Sequence, residues 1–352
     1  SQYPQARVHA LWTLDALGKL NSSLIEQALE HSEAGVRQNA VLLAEPLLSR
    51  TPHLVEKLLQ MDQDPDPKVR FQLLCTLGNI NTRRALAARE QLLFGDIDDP
   101  WMQIAGLSAD SNSAPRLFQA AVSHASLDSQ QSYERFFRQV SAIIGAQGNA
   151  TEIKTVLNLA SRRTTDISTV WLTACLEGLS KGLAYRNPQP IIQKEILLDL
   201  LENPMTRLRR AALGLLEVIG FPSSSSLDQK VSAAANIAVD ARTDTERRAD
   251  AIQLLAITEP AEFQELLQKL VNPSQPEEIQ AAALSALGQI QGPEIAAFVL
   301  EHWSAMTPAV RDKAAETFFS DLNRPTLLVE ALAQGKIQPW TLSFRSRRRL
   351  MM

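Results

Sequence analysis

Two cysteines, Cys75 and Cys175, are all that 352 residues contain, so no disulfide framework and no Cys-rich metal site can be read here. Both fall on apolar helical stripes, where a buried, inert thiol is the expectation. Histidine is equally scarce. His9, His31, His53, His124 and His302 are scattered and form no His-x-x-x-His pair that would face one metal from a helix. Aromatic residues make up 5% of the chain. A core this poor in rings is filled by Leu, Ala, Val and Ile, which suits the thin space between paired helices. Neither sign of charge dominates: the formal net charge is −4, which opposes nucleic acid as the main partner. No run of about 18 apolar residues is present, so no membrane-spanning segment is expected. The chain opens at Ser1-Gln2-Tyr3-Pro4 without a leader and enters a helix almost at once, which reads as a piece of a longer multidomain polypeptide.

Catalytic signatures are missing too. There is no Gly-x-Ser-x-Gly elbow, no phosphate-cradling Gly loop and no dinucleotide fingerprint. His31-Ser32-Glu33 mimics part of a zinc-deaminase signature, but the Cys pair that must follow is absent. Asp96, Asp98 and Asp99 cluster with Asp-Pro spacing, which helix capping explains better than calcium or acid–base chemistry. The expectation is a chain with no catalytic, cofactor-binding or metal-binding residues and no cofactor.

The stretch from Asp64 to Gly78 shows what is there. Asp66 is placed to cap a helix and Pro67 to start it. Val69, Leu73, Leu77 and Ile80 recur at helical spacing, with Leu74 widening the stripe, and Gly78 is expected to end the helix in the left-handed conformation. The same sentence recurs. Taking Arg70 as the ruler, the matching positions are Arg7, Arg37, Arg70, Gln103, Phe136, Leu172, Arg209, Arg247, Gln280 and Arg311. Their separations are 30, 33, 33, 33, 36, 37, 38, 33 and 31 residues. A period in the thirties with two helices per unit predicts an all-α solenoid of about nine to ten helix pairs, an α–α superhelix occupying 1–352 as one domain. Each pair is a longer helix followed by a shorter one, Arg83 to Phe94 in the third unit. The centre, Ser108 to Ser180, keeps the spacing with a weaker pattern carried by Phe136, Val140, Ile143, Leu172, Leu176 and Leu179. Ser223-Ser224-Ser225-Ser226 reads as a flexible connection. The Arg positions are structural first: stems packing on the next unit, guanidinium groups reaching acids or carbonyls.

The Asp-Pro-x-Val-Arg-x-x-x-Leu-x-x-Leu-Gly units resemble HEAT repeats, of the kind also found in phycobilin-lyase-like proteins. Ala6-Arg7-Val8-His9-Ala10-Leu11-Trp12-Thr13-Leu14-Asp15-Ala16-Leu17-Gly18, Asp99-Pro100-Trp101-Met102-Gln103 and the closing segment from Pro339 to Leu350 are similar to the HEAT region of large bacterial cell-envelope proteins of the membrane-bound dehydrogenase kind. In those a β-propeller precedes the repeats and a cytochrome c domain follows. The resemblance implies a periplasmic or cell-surface location and a non-catalytic scaffold that links or docks domains of a larger redox protein, its partners being flanking domains or another protein. Haem attachment needs Cys-x-x-Cys-His, which neither Cys75 nor Cys175 supplies. Two alternatives stand beside it: a nucleic-acid-acting HEAT enzyme of the alkylpurine glycosylase type, drawing on Arg207, Arg209, Arg210, Arg247 and Arg248, and a bilin lyase-like chaperone.

The candidate interaction residues lie toward the two ends. His9 and Trp12 share a face of the first helix. Trp340 precedes the one strong basic cluster, Arg345, Arg347, Arg348 and Arg349. Trp101, Trp171 and Trp303 are further candidate partner contacts. A solvent-facing apolar patch is expected at one or both ends, from Val8, Leu11, Trp12 and Leu14 or from Ile337, Trp340, Leu342, Phe344, Leu350, Met351 and Met352.

Overall fold

The computed structural model of the chain describes residues 3–108, 111–126, 128–161, 166–184 and 194–351, with backbone alone at 111, 159–161 and 166–168. Met352, counted above with the apolar end, lies outside the described residues. Regular structure among them is entirely helical, with 21 α-helices and five short 3-10 helices. The chain divides into two compact units, Ser1–Pro190 and Ile191–Met352.

The first unit opens with α1 (Pro4–Ala16), α2 (Ser22–Leu29), α3 (Ala34–Ala44), α4 (Pro52–Leu59), α5 (Pro67–Leu77) and α6 (Arg83–Gly95). It continues with α7 (Pro100–Ser108), α8 (Ala114–His124), α9 (Gln130–Gln147), α10 (Ala150–Ser161) and α11 (Asp166–Leu183). Odd helices pack side by side in one row from α1 to α11, and α2, α4, α6 and α8 form a second row behind it. Between the rows Ile25, Val36, Leu54, Val69, Leu73 and Leu77 are fully buried.

The second unit repeats the plan. It contains α12 (Lys194–Leu200), α13 (Thr206–Ile219), α14 (Ser225–Val239), α15 (Thr245–Ile257) and α16 (Gln264–Leu270). Then come α17 (Glu277–Leu287), α18 (Glu294–His302), α19 (Pro308–Thr317), α20 (Arg324–Ala333) and α21 (Phe344–Leu350). Helices α13, α15, α17, α19 and α21 make the odd row, backed by the even helices. No helix pair buries its own apolar stripe, so each closes over the next.

The odd helices share a start. In α1, α3, α5, α7, α13, α15, α17 and α19 the fourth residue is Arg7, Arg37, Arg70, Gln103, Arg209, Arg248, Gln280 and Arg311. This corrects one position of the repeat: Arg248, not Arg247, takes the place, because Asp244 caps α15 through Arg247 N and sets the count. In α9 and α11 the fourth residues are Tyr133 and Thr169; Phe136 and Leu172 lie one turn further on, inside the core.

The fourth side chain ties loops together. Arg37 donates through Nη1 to the His31 and Ser32 carbonyls at 2.9 and 2.8 Å, and through Nε and Nη2 to Asp64 at 2.7 and 2.8 Å. Arg70 donates to the Asp64 carbonyl at 2.6 Å and to both oxygens of Asp96. Gln103 Nε2 donates to the Ile97 and Ser132 carbonyls. Arg209 donates to the Asn203 and Pro204 carbonyls and to Asp250. Arg37, Arg70 and Arg209 therefore each hold their own entry loop and, through an acid, the next helix pair, whereas Arg248 reaches Gln275 and Arg311 only the carbonyls of Trp303 and Ser304. The bonds are charge-assisted, the stronger class.

Three local expectations are corrected. Gly78 does not turn left-handed: its φ is −56°, and a 3-10 bond from its N–H to Cys75 O finishes α5. The left-handed stop does occur at Gly18, φ 64°, where the chain doubles back to bond Leu14 O. The serine run is the start of α14, with Ser224 Oγ accepting from Leu227 N at 3.4 Å, because a hydroxyl that can cap is as useful as a flexible one. Helix α6, 13 residues long, exceeds its partner α5, with 11.

The ladder carries an acid sensitivity. Burial pushes the Asp64 carboxyl up, but its bonds to Arg37 and the Asp66 amide and the charges of Arg37 and Arg70 outweigh that, so it sits below its ordinary value. A depressed folded value means the contribution is present above about pH 4 and is lost as pH falls through the folded value. Asp64→Asn is expected to lower stability at pH 7 and to flatten the loss below pH 4. Urea midpoints for both proteins across pH 2.5–7 measure this; parallel curves would refute the assignment.

Candidate functional site

Because the ladder holds neighbouring odd helices in one register, equivalent positions line up along the row. The fifth and ninth residues face solvent. In the first unit they are Val8 and Trp12, Gln38 and Leu42, Phe71 and Cys75, then Ile104 and Ser108. Trp12 is 41%, Ile104 46% and Trp101, second residue of α7, 67% exposed; Val8, Leu42, Phe71 and Cys75 are half-buried. The row turns charged at α9, where Arg138 bridges Glu134 and Glu177, each at 2.8 Å. An apolar stripe thus crosses four helices and stops at an ion-pair network.

The opposite face of the same unit is built otherwise. Glu26 of α2 meets His53 of α4 at 2.7 Å, Glu30 meets Lys57, Glu56 of α4 meets Arg84 of α6, and Glu90 meets Arg116 of α8 at 2.6 Å. These pairs link each even helix to the next. Exposed pairs contribute roughly 0–1 kcal/mol each, so their main effect is a solvated, self-neutralised surface. Acids and bases 26 to 28 residues apart were visible in the sequence as a signal of this face.

Trp12 belongs to the stripe: its Nε1 donates to Asn39 Oδ1 of α3 at 2.9 Å, and Asn39 in turn donates to Gly35 O. His9 is exposed one turn before it on α1. Cys75 is not a nucleophile in waiting, since burial and the Glu45 charge push its thiol up. Burial pushes the Cys175 thiol up to about 12. Two other tryptophans leave the list of partner contacts. Trp303 is buried at 4% exposure, donating to Thr341 Oγ1, and Trp171 of α11 packs against Tyr133 and Phe137 of α9.

In the second unit the corresponding odd row is small and polar: Arg210, Gly214, Ala249, Gln253, Ala281 and Ser285. Of the arginines available to a nucleic-acid groove, Arg209 and Arg248 are buried at 5% and 3%, and Arg210 Nε is bound to Asp250 at 2.7 Å. At the far end of this unit Ile337 and Leu342 turn inward, whereas Trp340, Phe344 and Met351 remain 76%, 72% and 79% exposed. Arg345, Arg347, Arg348 and Arg349 are exposed along α21, with Arg349 lying 4.3 Å from the centre of the Phe319 ring. His9 and Trp12 thus sit on the first unit, and Trp340 with the arginines on the second.

No protein-family model matches the chain, and no curated protein matches it. Solved structures do. The chain is similar to Kap121p bound to Pho4p, with a TM-score of 0.59 and 11% identity over 96% of this chain and 42% of that one. It is similar to Kap121p bound to RanGTP, with a TM-score of 0.57 and 13% identity over 96% of this chain and 41% of that one. The karyopherin Kap121p bound to the SUMO protease Ulp1p gives 0.58 and 12% over 96% and 42%. The chain spans about two-fifths of the length of those proteins. The ladder of helix pairs and these likenesses agree on one fold, an α-solenoid of HEAT-like repeats.

Proposed function

We propose that this chain is a non-catalytic protein-interaction scaffold and that it takes its partner on the odd-helix face of the first unit. The observation that carries this is the contrast between the two faces of one unit: exposed charges paired in register on the even row, exposed Trp12, Trp101 and Ile104 on the odd row. Contiguous apolar surface framed by polar residues marks an interaction site, and tryptophan is over-represented among residues that dominate binding. Kap121p, similar in fold, is bound to protein partners in its solved structures.

Selection of displayed peptides against the 352-residue chain tests this. The expected result is a set of apolar, aromatic-bearing peptides whose affinity falls roughly 30-fold in Trp101→Ala, the size of a hot-spot loss, and is unchanged in Arg84→Ala. Peptides indifferent to Trp12 and Trp101 would overturn the assignment of the face.

We further propose that the scaffold serves a larger cell-envelope protein, joining its domains. Support comes from the likeness of the Ala6–Gly18, Asp99–Gln103 and Pro339–Leu350 segments to the cell-envelope dehydrogenases. The reading frame on either side decides it: propeller and cytochrome sequences support the role, and their absence removes it.

A further inference from the structure

Helix α21 packs on α19, with Ser346 buried and Leu350, one turn on, half-buried against the core. The face pointing away is Phe344, Arg347, Arg348 and Met351, at i, i+3, i+4 and i+7. Phe344 and Met351 are 72% and 79% exposed, and Trp340, in the 3-10 turn Pro339–Thr341 just before, is 76% exposed. Leu322, 97% exposed, lines one hollow with Phe319 and Arg349. From Leu322 to Met352 the sequence carries a single acid, Glu330, against six basic residues. No ion pair joins Arg345, Arg347, Arg348 or Arg349 among the described residues. The neighbouring Asp321 is occupied, accepting from the amides of Asn323 at 2.8 Å and Gly292 at 3.3 Å.

We propose that the outward face of α21, with Trp340, docks on an anionic membrane surface. A bilayer interface is the partner that satisfies both halves of this patch. Phosphate groups take the guanidinium forks, and the boundary between headgroups and acyl chains takes the indole, phenyl and thioether groups beside them. A duplex or an acidic peptide would pair the arginines and leave Trp340, Phe344, Met351 and Leu322 in water. One exposed face of a seven-residue helix anchors weakly, so binding is reversible and depends on salt. The site is independent of the odd-row stripe of the first unit.

Sedimentation of the 352-residue chain with phosphatidylcholine vesicles, with and without 30% phosphatidylserine, tests it. Binding is expected only to the anionic vesicles, weakening as salt rises from 0.05 to 0.3 M. Each basic residue near an anionic surface contributes roughly fivefold, so Arg347→Gln with Arg348→Gln lowers the partition about 25-fold. Trp340→Ala with Phe344→Ala weakens binding while leaving its salt dependence intact. All four residues are exposed, and an unchanged melting curve confirms that each variant is folded. Equal binding to neutral vesicles overturns the proposal, as does binding that survives loss of both arginines. So does absence of vesicle binding accompanied by arginine-dependent capture of poly-glutamate or duplex DNA, which would assign the patch to an acidic macromolecule.

Discussion

Replacing Gly182 by alanine is expected to destabilise the first unit by on the order of 3 kcal/mol, the upper end of overpacking costs. Helices α9 and α11, each 18 residues long, approach so closely that a methyl group at Gly182 would collide with the Ala142 carbonyl oxygen and lie 2.7 Å from Ala146 N. At Gly178 it would strike the Arg138 carbonyl and stand 3.0 Å from Ser141 Cβ. On the facing helix, a Cβ at Gly145 would be 2.9 Å from Leu179 O. These obstacles are backbone, so no rotamer change relieves them and the helices must separate. Separation also strips contacts from Phe137, Val140 and Leu179, all fully buried. Gly214, within α13, is the control: nothing lies within 4 Å of its would-be Cβ. Gly214→Ala should therefore stabilise by roughly 0.5–1 kcal/mol through helix propensity alone. Urea denaturation of the three proteins measures both signs, and equal shifts at Gly182 and Gly214 would refute the close approach.

Arg324→Met is expected to cost about as much in the second unit. Arg324 is the largest fully buried side chain, at 0% exposure. Its Nε donates to Gly292 O at 2.8 Å, its Nη1 to Thr317 O and Ser320 Oγ at 3.2 and 3.3 Å, and its Nη2 to Ile290 O. The acceptors belong to the turn after α17 and the end of α19, where carbonyls lack helical partners and the dipole favours a cation. Burial lowers the pKa of Arg324, only partly offset by the charges of Asp321 and Glu294. Methionine fills much of the volume but strands several buried carbonyls at about 1–3 kcal/mol each, with partial relief from water. Lysine should not rescue, since an ammonium cannot reproduce a planar fork. Hydrogen exchange is expected to rise first at 288–294 and 317–324. Protection unchanged there in a folded Arg324→Met protein would mean that the guanidinium is not what closes these ends.

The repeat was legible in the residues because its cause is local. A capping acid, a proline at the first turn, an arginine at the fourth position and an apolar stripe at helical spacing are all stated within about 15 residues, as at Asp66, Pro67, Arg70 and Leu73. The same signals led to the role of the arginines, since a long stem on a packed face has few places to put its charge except the neighbouring loop. Where neighbouring residues carry the same signal, the sequence leaves the local structure open. Two adjacent arginines, Arg247 and Arg248, offer two registers, and the Asp244 cap on α15 together with burial of the second chooses between them. Four serines resembled a linker until Ser224 capped a helix.

The candidate faces were a different matter. His9, Trp12, Trp340 and the Arg345–Arg349 cluster could be named from composition alone, but not what stands beside them. That Trp12, Phe71, Cys75 and Ile104 share one stripe depends on the lateral register of four helices, which Arg37, Arg70 and Gln103 hold through contacts 26 to 29 residues apart. That Trp303 is buried while Trp340 is bare depends on which helix lies over each ring. Sequence determined the helices, their pairing and the existence of an array, because each follows from the neighbours of a residue along the chain. Which faces stay open was decided only by packing, because exposure is a property of what the rest of the fold leaves uncovered.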